Sequence, residues 1–267
     1  MTPINLTDWI LISETESDSE ITKIYRKGSV EKHITHYENH FTEQHFANEK
    51  LHGVSIGRMN NNKIYLEEYY INGKQEGIQK NWYDDGSWAE CNWRNDKLEG
   101  ENKSWFANGE LEEDTFYENG KKEGVQKYWY ENSQLKKEIH FKKGKEHGKA
   151  TIYLQNGKIE RKRNYKKGKL HGLQIYYDQA GNSMETQYIN NLEQGLETAY
   201  YANGTKMHQH NFSNGKQEGK STYWHKNGQL SIIQHYKNGQ LDGKRFLYNE
   251  DGKLEAEQLY KNDERVY

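Results

Sequence analysis

The chain has 267 residues, of which 32% are hydrophobic, with a mean hydropathy of −1.27 and a net charge of −2. That balance excludes a thick aliphatic core and a global field that would steer a polyanion. A single cysteine, Cys91, excludes an intrachain disulfide and a cysteine-based zinc site. Aromatic residues make up 13% and tyrosines number 21, which suits a slender array whose units bury area only against their neighbours.

In chain order, the stretch MTPINLTDWILISETESDSE has no basic segment ahead of a long apolar run, which predicts no signal peptide. No window approaches the roughly 18 apolar residues of a membrane span. A cytoplasmic location is the expectation, and the sequon Asn5-Leu6-Thr7 would then carry no glycan. Residues 1–45 form the first segment. Trp9, Ile10, Leu11 and Ile12 make a short apolar run, and Ile21, Ile24, Tyr25, Val30, Ile34 and Tyr37 hint at further strands. The segment reads as a cap or degenerate repeats covering an open edge, or as an arm that binds a partner.

Residues 46–267 are built on one repeating unit. An anchor glycine recurs at Gly53, Gly77, Gly100, Gly124, Gly148, Gly172, Gly195, Gly219 and Gly243, at spacings of 23 or 24 residues. Four residues before most anchors lies one turn signal, as in Asn72-Gly73, Asn119-Gly120, Asn214-Gly215 and Asn238-Gly239. Nine residues after lies another, as in Asp85-Gly86, Asn108-Gly109, Asn156-Gly157, Asn203-Gly204 and Asn227-Gly228. Both predict type I′ turns joining antiparallel strands of about 5–8 residues. Five residues after the anchor stand Trp82, Trp105, Trp129, Tyr153, Tyr177, Tyr200, Trp224 and Tyr248, with Arg58 departing in the first unit. Seven before stand Phe46, Tyr70, Trp93, Tyr117, Phe141, Tyr165, Tyr188, Phe212 and Tyr236. Recurrence at one spacing stacks each set in a column.

The anchor glycine falls inside a strand, where glycine marks a bulge or a close approach. The expectation is that an aromatic ring from a neighbouring strand lies over each bare backbone. At about 4.8 Å per strand, nine two-strand units would give a twisted ribbon roughly 85–90 Å long. The fold class is therefore all-β, an elongated antiparallel β-hairpin repeat array of about nine units.

Units such as Asn119-Gly120-Lys121-Lys122-Glu123-Gly124 followed by Tyr128-Trp129-Tyr130, and Asn214-Gly215-Lys216-Gln217-Glu218-Gly219 followed by Tyr223-Trp224, resemble MORN repeats. The variant is similar to that of the bacterial YwqK-like antitoxin family. The resemblance covers about residues 46–267. It implies a non-catalytic protein-binding role, as an antitoxin or immunity protein that covers a cognate toxin. The MORN name also implies an alternative, a scaffold or membrane-surface adaptor.

No catalytic constellation emerges: there is no G-x-S-x-G, no Walker A loop and no His-Glu-x-x-His. His33, His36, His40 and His45 cluster, and His208 and His210 alternate, but no other ligand type repeats at a matching position, so neither a metal site nor a cofactor is expected. His52, His147 and His171 precede anchors where other units place Glu or Asp, and read as solvent positions. Cys91 has no nearby histidine and reads as an unreactive thiol.

Charge is segregated along the chain. From Lys136 to Lys169 there are 13 Lys or Arg against three Glu, and Lys142, Lys143, Arg161, Lys162 and Arg163 are prominent. From Asp84 to Glu123 there are 12 acids against five bases, with Glu110, Glu112, Glu113, Asp114 and Glu118 prominent. The two segments are either solvated strand faces or a bipolar docking surface. Under the second reading those ten residues contact the partner, with the acidic set suiting a basic toxin site and the basic set suiting anionic lipid. Nucleic acid is a weaker fit to the basic set. The free protein is expected to be a monomer.

Overall fold

The computed structural model describes residues 9–266. The sequon at Asn5, and the first residues of the stretch read for a leader, lie outside them. Among the described residues there are 29 strands and no helix, so the all-β reading holds. Among these residues no helix is long and apolar enough to cross a membrane. The chain divides into two compact units, Met1–Gln134 and Leu135–Tyr267.

Within each unit the strands form an antiparallel meander. In the first, Ile10–Glu16, Ile21–Lys27, Val30–His36, His40–Ala47 and Lys50–Met59 pair in succession. The segment before residue 46 thus runs in register into the repeats. In the second, Ile159–Lys166, Gly172–Tyr177, Ser183–Ile189, Leu192–Tyr200, Lys206–Ser213 and Gly219–Trp224 follow one another in the same way.

The two turns of the repeat differ. At the turn before the anchor both central residues have positive φ, as at Asn72 (52°) and Gly73 (83°), and Asn214 (52°) and Gly215 (78°). That is the type I′ geometry expected. At the turn after the anchor only the glycine is left-handed, as at Gly86 (89°) and Gly228 (88°). There the Gly228 amide donates to the His225 carbonyl, and the His225 amide to the Gln229 carbonyl. This is a type I turn closed by a left-handed glycine, and the type I′ expectation fails for it. The side chain explains the difference. Asn108 Oδ1 accepts from the Glu110 amide and Asn227 Oδ1 from the Gln229 amide, 2.9 and 3.0 Å, an Asx closure that keeps the asparagine itself right-handed.

Each anchor glycine sits in a bulge. Opposite Gly124, the strand Leu111–Glu118 pairs through Tyr117 with Lys122 and resumes at Asp114 with Lys127, so four residues face two. All nine anchors have positive φ, from 71° at Gly124 to 117° at Gly243. No Phe, Tyr or Trp ring lies within 4 Å of where a Cβ would stand at any of them. The ring-over-glycine expectation is therefore corrected: backbone conformation, not crowding, demands glycine there. A ring does lie against Gly57, outside the repeat slots, where an added Cβ would meet Tyr65 Cζ at 2.5 Å.

The bulge strands backbone groups, and buried backbone groups need partners. The amide before the anchor supplies one, as Glu123 N to the Phe116 carbonyl at 2.9 Å. The residue two after the anchor supplies another. Gln126 Oε1 accepts from Phe116 N (3.0 Å) while its Nε2 donates to the Glu123 carbonyl (2.6 Å). Asn102 and Gln174 likewise accept from Asn92 N and Asn164 N. This column runs Ser55, Gln79, Asn102, Gln126, Ala150, Gln174, Glu197, Ser221 and Arg245. It includes some of the most buried side chains, with Gln126 at 0% and Ser221 at 1% exposure. The core is thus a polar column lined by aromatics, as the low hydrophobic content requires.

Successive units are stitched through the position before the anchor. Glu76, Glu99 and Glu218 accept from the amides of Asn95, Asn119 and Asn238, and His52 Nδ1 accepts from Asn72 N. The slot holding His52, His147 and His171 is half-buried, not the solvent position expected, and at His52 it is a structural acceptor.

Candidate functional site

The charged candidates divide between the two faces of their strands. On the strand Leu111–Glu118, Glu113 turns to the same face as Thr115 and Tyr117, where Lys122 Nζ lies 3.3 Å away. Glu110, in the preceding turn, accepts from Ser133 Oγ at 2.6 Å, and Glu112 from Ser104 Oγ at 3.0 Å. Asp114, Phe116 and Glu118 alternate onto the other face. Phe116 is 44% exposed there, and the exposed Glu101 stands directly across the ladder from it. An apolar ring is left in water, flanked along its strand by Asp114 and Glu118 and faced by Glu101, with Lys103 opposite Asp114 and ion-paired to Glu101 at 2.7 Å, and Lys121 opposite Glu118.

The basic candidates also separate. Lys142 and Lys143 sit at a hairpin end, Lys143 in the turn with φ 53°. Arg161 and Arg163 share one face of the strand Ile159–Lys166, and Lys162 is exposed on the other. Arg161 binds Glu160 at 3.1 Å and lies over the Tyr176 ring at 5.3 Å. Arg163 donates to the Tyr165 hydroxyl at 3.1 Å.

The face carrying Arg163 continues across the second unit through Gln174, Thr186, Glu197 and His210, and here the strands gather a cluster. Glu197 pairs directly with His210 and with Thr186. Its Oε1 lies 3.4 Å from both His208 Nε2 and His210 Nδ1. Its Oε2 accepts from Thr186 Oγ1 at 3.0 Å. The two imidazoles stack, centroids 4.3 Å and planes 10° apart. The Tyr223 ring stands 5.1 Å from that of His210, and Gln217 Nε2 is 3.1 Å from its Nδ1. Glu197 and His210 are each 8% exposed. Burial pushes the Glu197 carboxyl up, but the pull of the adjacent His208, His210 and Thr186 outweighs it and holds the group down at about 2.

Sequence spacing paired His208 with His210 and missed Glu197, which lies eleven residues earlier and reaches them only through strand pairing. The usable signal was in the column two after the anchor, where Glu197 is the single carboxylate among mostly amides and small residues. The other histidine group does not converge. His33 packs at a tilt against Phe46, His36 stacks on Phe41 and His40 on Tyr37, while His45 Nδ1 bonds the Val54 carbonyl. Burial raises the Cys91 thiol, which lies beside Trp93 Nε1 and Gln79 in a packed network.

Five stretches of the chain match the MORN repeat variant. They are residues 98–119, 122–143, 146–167, 217–238 and 241–262. MORN repeats in general bind protein or membrane lipid. The Glu197 cluster lies between the third and fourth matched stretches, where the sequence departs from the repeat model. A comparison with curated proteins finds no match.

Proposed function

We propose that this chain is a non-catalytic protein-binding repeat protein, and that its partner is a toxin it neutralises by covering. One observation carries the choice of protein over lipid: Phe116 is exposed among Asp114, Glu118 and Glu101. An exposed aromatic anchor fits an apolar socket on a protein surface, and its flanking acids, partly offset by Lys103 and Lys121, favour a basic rim around that socket over an anionic bilayer. The immunity role rests on the likeness of the repeat units to those of YwqK-like antitoxins. The dispersal of the basic residues weakens the lipid reading.

The test is a tagged pull-down from source-cell lysate at two salt concentrations, repeated with Phe116→Ala and with Asp114→Asn/Glu118→Gln. One stoichiometric protein, toxic when expressed alone and lost with these variants, supports the reading. Recovery of anionic lipid, or of a mixed salt-labile set that the variants leave unchanged, refutes it.

A further inference from the structure

We propose that Glu197, His208 and His210 form a binding site for one divalent transition-metal ion of the zinc class. Two imidazoles and one carboxylate are borderline donors of the kind zinc takes, and three protein ligands leave a fourth tetrahedral position for water or a partner's side chain. The spacing fits. A tetrahedral zinc with bonds of about 2.0–2.1 Å holds its donors about 3.3 Å apart, and Glu197 Oε1 is 3.4 Å from a nitrogen of each histidine. One ligand atom from each of the three residues falls within 4.8 Å of the others.

The state of the His208 nitrogen points the same way. His208 Nε2, which lies 3.4 Å from Glu197, is buried without a hydrogen-bond partner, whereas His210 Nδ1, the nitrogen of that ring facing Glu197, accepts from the Gln217 amide at 3.1 Å, a bond that a metal ion would displace. The 3.4 Å approach of His208 Nε2 to Glu197 is an ion-pair distance without hydrogen-bond alignment. Buried polar nitrogens without partners are costly, and a metal ion is one way to satisfy them. One outer contact is of the kind a ligand set needs: Thr186 Oγ1 fixes the carboxylate through Oε2 and leaves Oε1 to the histidines. The stacked rings hold their lone pairs in nearly parallel planes, so binding requires one imidazole to swing about its Cβ–Cγ bond.

The position in the repeat argues against a generic packing role. Elsewhere this column plugs the bulge with an amide, as at Gln126 and Gln174. At Glu197 the side chain is turned instead to Thr186 and the two histidines.

The experiment uses the full chain, stripped with a chelator and dialysed against zinc chloride with metal quantified in the protein. One ion per chain is expected. Glu197→Gln and His208→Gln should each weaken retention more than tenfold, whereas His33→Gln, in the other unit, should not. Loss of retention in His33→Gln but not in the other two variants overturns the proposal, as does retention unchanged by Glu197→Gln. Should the variants fail to fold, the unaltered chain decides by NMR. Zinc should shift the imidazole signals of two of its 12 histidines. A shift of none, or of a different set, rejects the site.

Discussion

Gly124 offers the cleanest test of why the anchor slot is glycine. Its φ is +71°, and a Cβ built on it would meet nothing within 4 Å. Replacement by alanine therefore adds no clash and should cost only the left-handed conformation, about 1–2 kcal/mol. Asparagine enters that region several-fold more readily, so Gly124→Asn should cost about half as much or less. For a unit of this size 1 kcal/mol moves the melting temperature by about 3–5 °C, which puts Gly124→Ala about 3–10 °C below the parent and Gly124→Asn between them. Gly148→Val adds a β-branched side chain at φ +92°, with His140 Nδ1 3.4 Å from the new Cβ, and should be worse than either. The assay is thermal and urea unfolding followed by circular dichroism and tryptophan fluorescence. Equal losses for Gly124→Ala and Gly124→Asn would refute the conformational account. No loss in Gly148→Val would refute any account that requires glycine there.

Other perturbations probe the remaining parts. Gly57→Ala should cost about 1–3 kcal/mol by overpacking against Tyr65, and most of that should vanish in a Tyr65→Leu background; urea midpoints of the double-mutant cycle check it. The Glu197 carboxyl lies at about 2 in the folded chain against 4.5 for the ordinary group. Its contribution, about 3 kcal/mol, is therefore fully present above pH 4.5 and lost as pH falls toward 2. Glu197→Gln should flatten that acid limb in a stability–pH profile, and an unchanged limb would contradict the assignment. Glu218→Ala removes the acceptor of the Asn238 amide and should cost about 0.5–1.5 kcal/mol, read as faster hydrogen exchange at Asn238. Neutralising Lys142, Lys143, Arg161 and Arg163 together should leave capture of the protein partner intact; loss of vesicle co-sedimentation in its place would return weight to the lipid reading.

The repeat was legible because its causes are local. Type I′ turns declare themselves in two adjacent residues, and Asn72-Gly73 and Asn214-Gly215 behave as expected. The second turn was misread because the same Asn-Gly pair fits two loop lengths. Only the Asx bond from Asn108 or Asn227 to the amide two residues on separates them. The pre-anchor slot was misread because its partner is an amide about 20 residues away in the next unit. Cross-unit bonds of that kind leave no mark in composition. The column of Gln126 and Gln174 was missed for a related reason: polar residues inside a strand read as a solvent face unless a bulge is known to need them.

The same logic locates function in such an array. Where a residue of a repeated column meets a structural demand, as Asn102, Gln126 and Gln174 do at the bulge, it carries no information about a ligand. Gln126 closes a bulge and is thereby explained. Glu197 occupies the equivalent place, adds a buried charge to it, and draws two histidines from the next strand. A buried carboxylate is costly unless paired, whereas glutamine at this position elsewhere serves the bulge without that cost. A departure that gathers potential ligands instead of serving the bulge is where a ligand should be sought. The acidic and basic runs, by contrast, alternate between faces as any strand must, which is why their net charges in the sequence overstated the patches they form.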